Sequence, residues 1–423
     1  MRRVAVTGVG LCTPIGVGAD ETWSALMDGR SAVAEISGYD PSGLHTRLGA
    51  EIAELAPKEY VEKRRSLRTM TRHDVLTVVP AVMAARDSGL DLGADDEQGR
   101  RAAFTASGKE TSNPEGFTDV ALEARDGDGH VGMRRFGELA FGGVPPLFFL
   151  EGLQGASLHY LSEAFSLRGA NTYFAGTAEA GMHAIGRAYR AIRRGEADFA
   201  LAGAGDAPVN WWNMGKIDSL GILTRRNELG ARACRPAHRE RDGTVMGEGG
   251  AFLALEELEA ARARGANVYA EVVGYSAGAD IGRYVTPDES GGPIAEAIEA
   301  ALREAEATPG EVGWVAAHAS GTRRGDASEA AALRSALDAP AASSVKPATG
   351  HLGAAAGALN AAVAAMAVAR GAMPPTLNLD DLDPACEGVD WVAEEGREAE
   401  VGMALALARG LEGQTAALAL RGT

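Results

Sequence analysis

The chain has 423 residues, 46% of them hydrophobic, and a formal net charge of −17. It can bury a core of two or three domain-sized units, and its acidic balance argues against nucleic acid as a partner. No 18-residue uncharged apolar run offers a membrane span, and three widely spaced cysteines (Cys12, Cys234 and Cys386) form neither a metal motif nor a disulfide framework.

The N-terminus enters a strand pattern at once, Val4-Ala-Val-Thr-Gly-Val-Gly10, without the apolar stretch of a secretion signal, so a cytoplasmic location is expected. A basic cluster follows at Lys63, Arg64, Arg65, Arg68 and Arg72, and a second runs from Arg225 to Arg241. Such clusters are usually solvated faces, with carrier-protein docking as the functional alternative. Residues 109–150 read as an insertion over the core, least regular from Ser112 to Gly143. Strand patterns recur at Asp198–Gly203, Tyr269–Tyr275 and Gly313–His318, and Glu256–Arg264 reads as a helix. Gly357–Arg370 is a helix apolar almost all round, placed at the centre of the molecule and ended by Gly371 and Pro374-Pro375. Strands alternating with helices predict an α/β protein, divided here into halves 1–255 and 256–423.

Asn171 to Gly186 predicts a β-branched and aromatic strand, a tight small-residue turn and a helix. This arrangement lifts one side chain onto a helix N-terminus, where the dipole and free N–H groups stabilise a thiolate or an oxyanion. The residue lifted is Ala178, which has no atom able to attack a thioester.

Five further segments, in chain order, resemble the β-ketoacyl synthases. They are Val6–Gly16, Gly195–Gly203, Arg239–Gly249, Ala317–Asp326 and Val345–Gly357, and with the turn at Ala178 they cover nearly the whole chain. The resemblance implies a thiolase-like fold, α/β, with two duplicated halves, layered mixed sheets and a central buried helix pair. It places Ala178 where active members carry a cysteine nucleophile. It makes His318 and His351 the pair that polarises a malonyl thioester, and Lys346 the lysine that orders them. Paired imidazole donors suit that chemistry because decarboxylation builds enolate charge on the thioester oxygen. The other reading is that the three persist as hydrogen-bonding elements of a buried polar pocket.

Ala406–Arg421 matches the gating loop of condensing enzymes, with Arg409 in place of the gate phenylalanine, followed by Gly410, Leu411 and Gly413. A guanidinium there is costly unless paired, so the expectation is a pocket no longer fitted to an acyl chain. The Ala-Arg-Gly pattern resembles the chain-length factors of type II polyketide synthases, non-condensing relatives that heterodimerise with an active ketosynthase. Many of those carry glutamine at the nucleophile position and lose the histidines. Ala178, His318 and His351 depart from that pattern and point toward systems making reduced or polyene chains.

In that resemblance the tunnel is shaped by the segment before the turn, which makes Phe117, Phe136, Phe141, Leu147, Phe148 and Phe149 candidate tunnel or interface residues. The implied partners are an active ketosynthase and an acyl carrier protein whose phosphopantetheine presents the acyl chain, with no other cofactor and no metal. The alternative is a malonyl-carrier decarboxylase supplying starter units, because decarboxylation needs oxyanion donors but no cysteine.

Overall fold

A computed structural model describes every residue except 94, 95, 97, 98, 111–113 and 283. The first strand, β1 (Val4–Thr13), is buried along its whole length. It starts a twelve-stranded sheet built from two similar halves, one of the twelve being a short strand, Gly16–Val17, that pairs antiparallel with the end of β1 off the main path. In the first half, β2 (Arg101–Ser107), β3 (Asn171–Ala175), β4 (Phe199–Asp206) and β5 (Gly249–Glu257) stand in the order β1-β5-β4-β2-β3. The second half has β6 (Ala270–Ala279), β7 (Trp314–Ala316), β8 (Ala341–Ser343), β9 (Asp390–Trp391), β10 (Met403–Arg409) and β11 (Gln414–Arg421), in the order β6-β11-β10-β7-β8-β9. Each half opens with two antiparallel pairings and closes with parallel ones. β1 and β6 pair antiparallel, Val4 opposite Val272, and join the halves.

The helices repeat in the same way. α1 (Arg72–Asp87) links β1 to β2, and its counterpart α7 (Gly292–Glu304) links β6 to β7. Pro80 inside α1 has no N–H to offer Leu76 O, and Gly250 of β5 runs so close to that carbonyl that a Cβ there would collide with it. α5 (Ala178–Arg193) follows β3, and α9 (Ala356–Arg370) follows β8, as the central pair. Gly181 and Gly357 let their backbones meet: a Cβ on Gly357 would collide with Ala178 O. The two helices contact strands of both halves and form the mid-layer of the thiolase-like fold. The stretch Gly353–Arg370 has the length and hydropathy of a membrane span, yet 83% of it is buried in this core.

Two expectations are corrected. Glu256 and Glu257 belong to β5, opposite Ala5 and Val4, and only Leu258–Ala263 is helical, capped by the Glu257 carboxylate. The segment read as irregular is largely helical, with α2 (Pro114–Glu123) and α3 (Met133–Gly143) packed together; Ser112 lies outside the described residues. A single turn, Phe148–Glu151, leads on to α4 (Ala156–Phe165). This cap is tied to the body by Trp211 Nε1, which donates to Glu115 at 2.5 Å, and by the buried Lys109. Lys109 donates to Asp74 at 2.8 Å and to Leu153 O at 3.0 Å, while Gln154 donates back to Lys109 O.

Candidate functional site

β3 ends at Ala175, and Gly176 and Thr177 turn the chain so that Ala178 opens a sixteen-residue helix at 1% exposure. The next residue was not singled out by sequence reasoning. Glu179 is buried, and its carboxylate folds back over the helix start, accepting from Thr177 N at 3.3 Å and Thr177 Oγ1 at 3.0 Å. It is wedged between two glycines: a Cβ on Gly176 or on Gly410 would collide with its oxygens. Burial raises its pKa, and the nearby Glu412 carboxylate adds to that. A carboxylate therefore lies against the helix start, on the Thr177 N–H and hydroxyl.

His318 follows β7 and His351 follows the turn at Gly350, and their rings stand edge to face with centroids 5.5 Å apart. Each is half-buried, with part of the residue on a cavity. Burial, then the Lys346 charge, lowers both imidazole pKa values; His351 falls to about 3, and His318, with His351 and Arg409 also contributing, falls well below 6.5. Both rings are therefore neutral at pH 7. Gly353 N donates to His351 Nδ1 at 3.2 Å, which puts the ring proton on Nε2. Among the described residues His318 Nδ1 has no hydrogen-bond partner.

The backbone around His318 is fixed from three sides. Lys346 Nζ donates to His318 O, while Glu329 accepts from His318 N at 2.7 Å and from Ala319 N at 2.6 Å. Asp326 accepts from Ser320 N and Ala237 N at 2.9 Å each. Burial lowers the Lys346 pKa and raises that of Glu329, and each opposes the other's shift by facing it. Glu329 and Asp326 lie three residues apart on α8 (Arg323–Ala336), a spacing that puts both on one helix face. Asp326 ends the motif Ala317–Asp326, but nothing local in the sequence marks Glu329.

The gate segment is a hairpin rather than a loose loop. Arg409 ends β10, Gln414 starts β11, and Gly413 takes the left-handed conformation the turn requires, at φ +95°. The turn is held by Leu411 N donating to Thr177 Oγ1 at 2.9 Å and Val285 N donating to Leu411 O at 2.8 Å. Arg409 is paired, as its burial demands: Nη2 donates to Asp280 at 3.4 Å, while Nε finds no acceptor among the described residues. Burial lowers the Arg409 pKa, against the pull of Asp280. Burial would raise the Asp280 carboxyl, but N–H donors from Asp288 and Gly282, with Arg409 beyond them, bring it below the usual range.

His318, His351, Arg409, Gly410 and Leu411 share one cavity of about 440 Å³, with Ala178 and Lys346 behind its wall. That volume is in the range of small-molecule sites. α6 (Trp211–Ser219) contributes Asn213, Lys216 and Ile217 to the walls. None of the six aromatic-segment residues lines the cavity. Phe117, Phe136 and Phe148 cluster by ring contacts on the cap, and Leu147, Phe149 (74% exposed) and Phe141 (97%) face outward. Among the described residues no group of three His, Cys, Asp or Glu side chains is placed to hold a metal.

Residues 1–261 match the family "Beta-ketoacyl synthase, N-terminal domain", and residues 269–380 match "Beta-ketoacyl synthase, C-terminal domain". A protein of Streptomyces halstedii assigned as polyketide beta-ketoacyl synthase 1 is 34% identical, over 100% of this chain and 98% of its own. The ishigamide ketosynthase/chain length factor structure superposes with a TM-score of 0.87 at 30% identity, covering 100% of this chain and 99% of that one. A type II polyketide synthase ketosynthase, solved with its acyl-carrier protein and bound to a hexaketide, gives a TM-score of 0.86 at 27% identity, covering 100% and 99%.

Proposed function

The chain belongs to the β-ketoacyl synthase family, and we propose that within it this protein is a non-condensing chain-length factor. It heterodimerises with an active ketosynthase and shapes the tunnel in which that partner extends a carrier-bound polyketide. The observation that carries the reading is the helix start at Ala178: no nucleophile is present, and the Glu179 carboxylate takes the space and donors beside it. Two features supply an interface. β3 is an edge strand whose outer backbone groups have no partner strand, and the cap that leads into it exposes Phe117, Phe141, Leu147, Phe149 and Leu150. Unpaired edges and contiguous exposed apolar side chains call for a covering surface. Acyl chains would reach the complex on the phosphopantetheine of an acyl carrier protein.

The test is co-expression with an active ketosynthase and its carrier. The two chains should copurify, and exchanging this chain for another of its kind should change product length. Failure to copurify with any ketosynthase from a type II system rejects the reading. A second reading, malonyl-carrier decarboxylation, is favoured by the two neutral imidazoles facing the cavity. Acetyl-carrier formed from malonyl-carrier by the chain alone, and lost in His318→Ala, would establish it.

A further inference from the structure

Position 178 is closed off on two sides. Behind it, α9 runs so near that a Cβ on Gly357 would meet Ala178 O. In front, the cavity stops at Gly176, Thr177, Gly410, Leu411 and Glu412, with neither Ala178 nor Glu179 on its lining. The Glu179 side chain, 3% exposed, fills the space under Gly176 and Gly410. An acid in the first turn of a helix ordinarily gains from the dipole while staying in water. This one gives up water, and the charged group acting on it is a second carboxylate, Glu412, rather than a cation. Burying a carboxylate in this way is unfavourable, and what it provides in the fold is a seat for the gate hairpin. Thr177 makes the link, its hydroxyl donating to Glu179 at 3.0 Å and accepting from Leu411 N at 2.9 Å. Gly410 rests directly on the carboxylate, with no Cβ to hold it away.

We infer that Glu179 is a positioning residue that braces the gate hairpin against Thr177 and plugs the passage from the cavity to position 178. Two separate features then keep acyl groups off this position, the absent thiol and the closed passage, and restoring the thiol leaves the passage shut. The inference goes beyond the chain-length reading and does not rest on it, because the plug belongs to the isolated chain whether or not a ketosynthase binds.

The test uses a thiol at position 178 as a reporter of access. Ala178→Cys/Glu179→Gln keeps the bulk and removes the charge, and Ala178→Cys/Glu179→Ala removes both, so the two proteins match in the charge beside the thiol and differ in the plug. Each is labelled with N-phenylmaleimide at one pH, and peptide mapping by mass locates the adduct. Removing the plug should label position 178 at least about tenfold faster than the glutamine variant, with Cys12, Cys234 and Cys386 still unlabelled. A second measurement needs no reporter. Gly410→Ala sets a Cβ against the Glu179 carboxylate, so it should lower the Tm of the natural chain by several degrees and leave that of Glu179→Ala almost unchanged. Equal labelling of the two reporter proteins, faster labelling of the three buried cysteines along with position 178, or the same Tm loss from Gly410→Ala in both backgrounds would each overturn the inference.

Discussion

Restoring a cysteine at position 178 should give an unreactive thiol, and the reason lies one residue further on. A cysteine at a helix N-terminus ordinarily has its pKa lowered from about 8.5, because dipole and N–H groups favour the thiolate. Here the helix start already carries the Glu179 carboxylate, which accepts from Thr177 N and Thr177 Oγ1. A like charge within about 4–6 Å disfavours the second anion. At an effective dielectric of about 20 and a separation of roughly 5 Å, the repulsion is about 3 kcal/mol, or about two pH units on the thiol. Ala178→Cys should therefore titrate above pH 9, and Ala178→Cys/Glu179→Gln about two units lower. The assay is the rate of iodoacetamide alkylation against pH, followed by intact mass. Background is low, because Cys12, Cys234 and Cys386 are buried and burial pushes each thiol up to about 12. Equal alkylation profiles for the single and double variants would refute the reasoning. Neither variant should condense acyl groups while Arg409 stands at the gate, and condensation by Ala178→Cys alone would remove the main argument for a non-condensing chain.

Small-residue substitutions at Phe141 and Phe149 should change the stability of the isolated chain by less than about 0.5 kcal/mol, as expected for exposed sites, yet shift product length in the complex; unchanged lengths across Phe136–Phe149 would place the tunnel floor elsewhere. Lys109→Met leaves Asp74 buried without its cation, so urea unfolding should show a loss of about 3–5 kcal/mol, with partial recovery in Lys109→Met/Asp74→Leu. His351, held near pH 3 when folded against 6.5 when free, lets the unfolded state take up a proton that the folded state refuses. Stability is thus lost as pH falls below about 6.5, at up to about 1.4 kcal/mol per unit from this group. Urea unfolding at pH 7 and 5.5 should show that loss shrinking in His351→Gln, and identical slopes would contradict it.

What the sequence made legible was chemistry packed into short motifs. The strand, turn and helix around Ala178 lie within sixteen residues, and His318, Lys346 and His351 sit in glycine-rich segments whose spacing is set by the backbone. What it hid depends on contacts across the chain. Arg409 announced a need for an anion, but Asp280 lies 129 residues away, in the first loop after β6. Glu179 looked like an ordinary first-turn acid, and its wedged position exists only because the turn at Gly410 closes over it. The cap was read as irregular because glycines and charges interrupt its apolar pattern; its helices form by packing on each other and on Trp211.

The histidines raise a question that packing alone does not answer. The scaffold around His318 uses its backbone N–H and carbonyl, through Glu329 and Lys346, and any residue could supply those. The ring itself makes no hydrogen bond through Nδ1 among the described residues, and His318 lines the cavity. A purely structural imidazole would be satisfied by its neighbours, so the decarboxylase reading expects this one to meet what enters the cavity. His318→Ala should then lower stability by no more than about 1–2 kcal/mol, less than a packed core truncation, while weakening malonyl-pantetheine binding measurably. Thermal and urea unfolding alongside calorimetry separates the two. A large loss of stability with unchanged binding would make the ring a scaffold element.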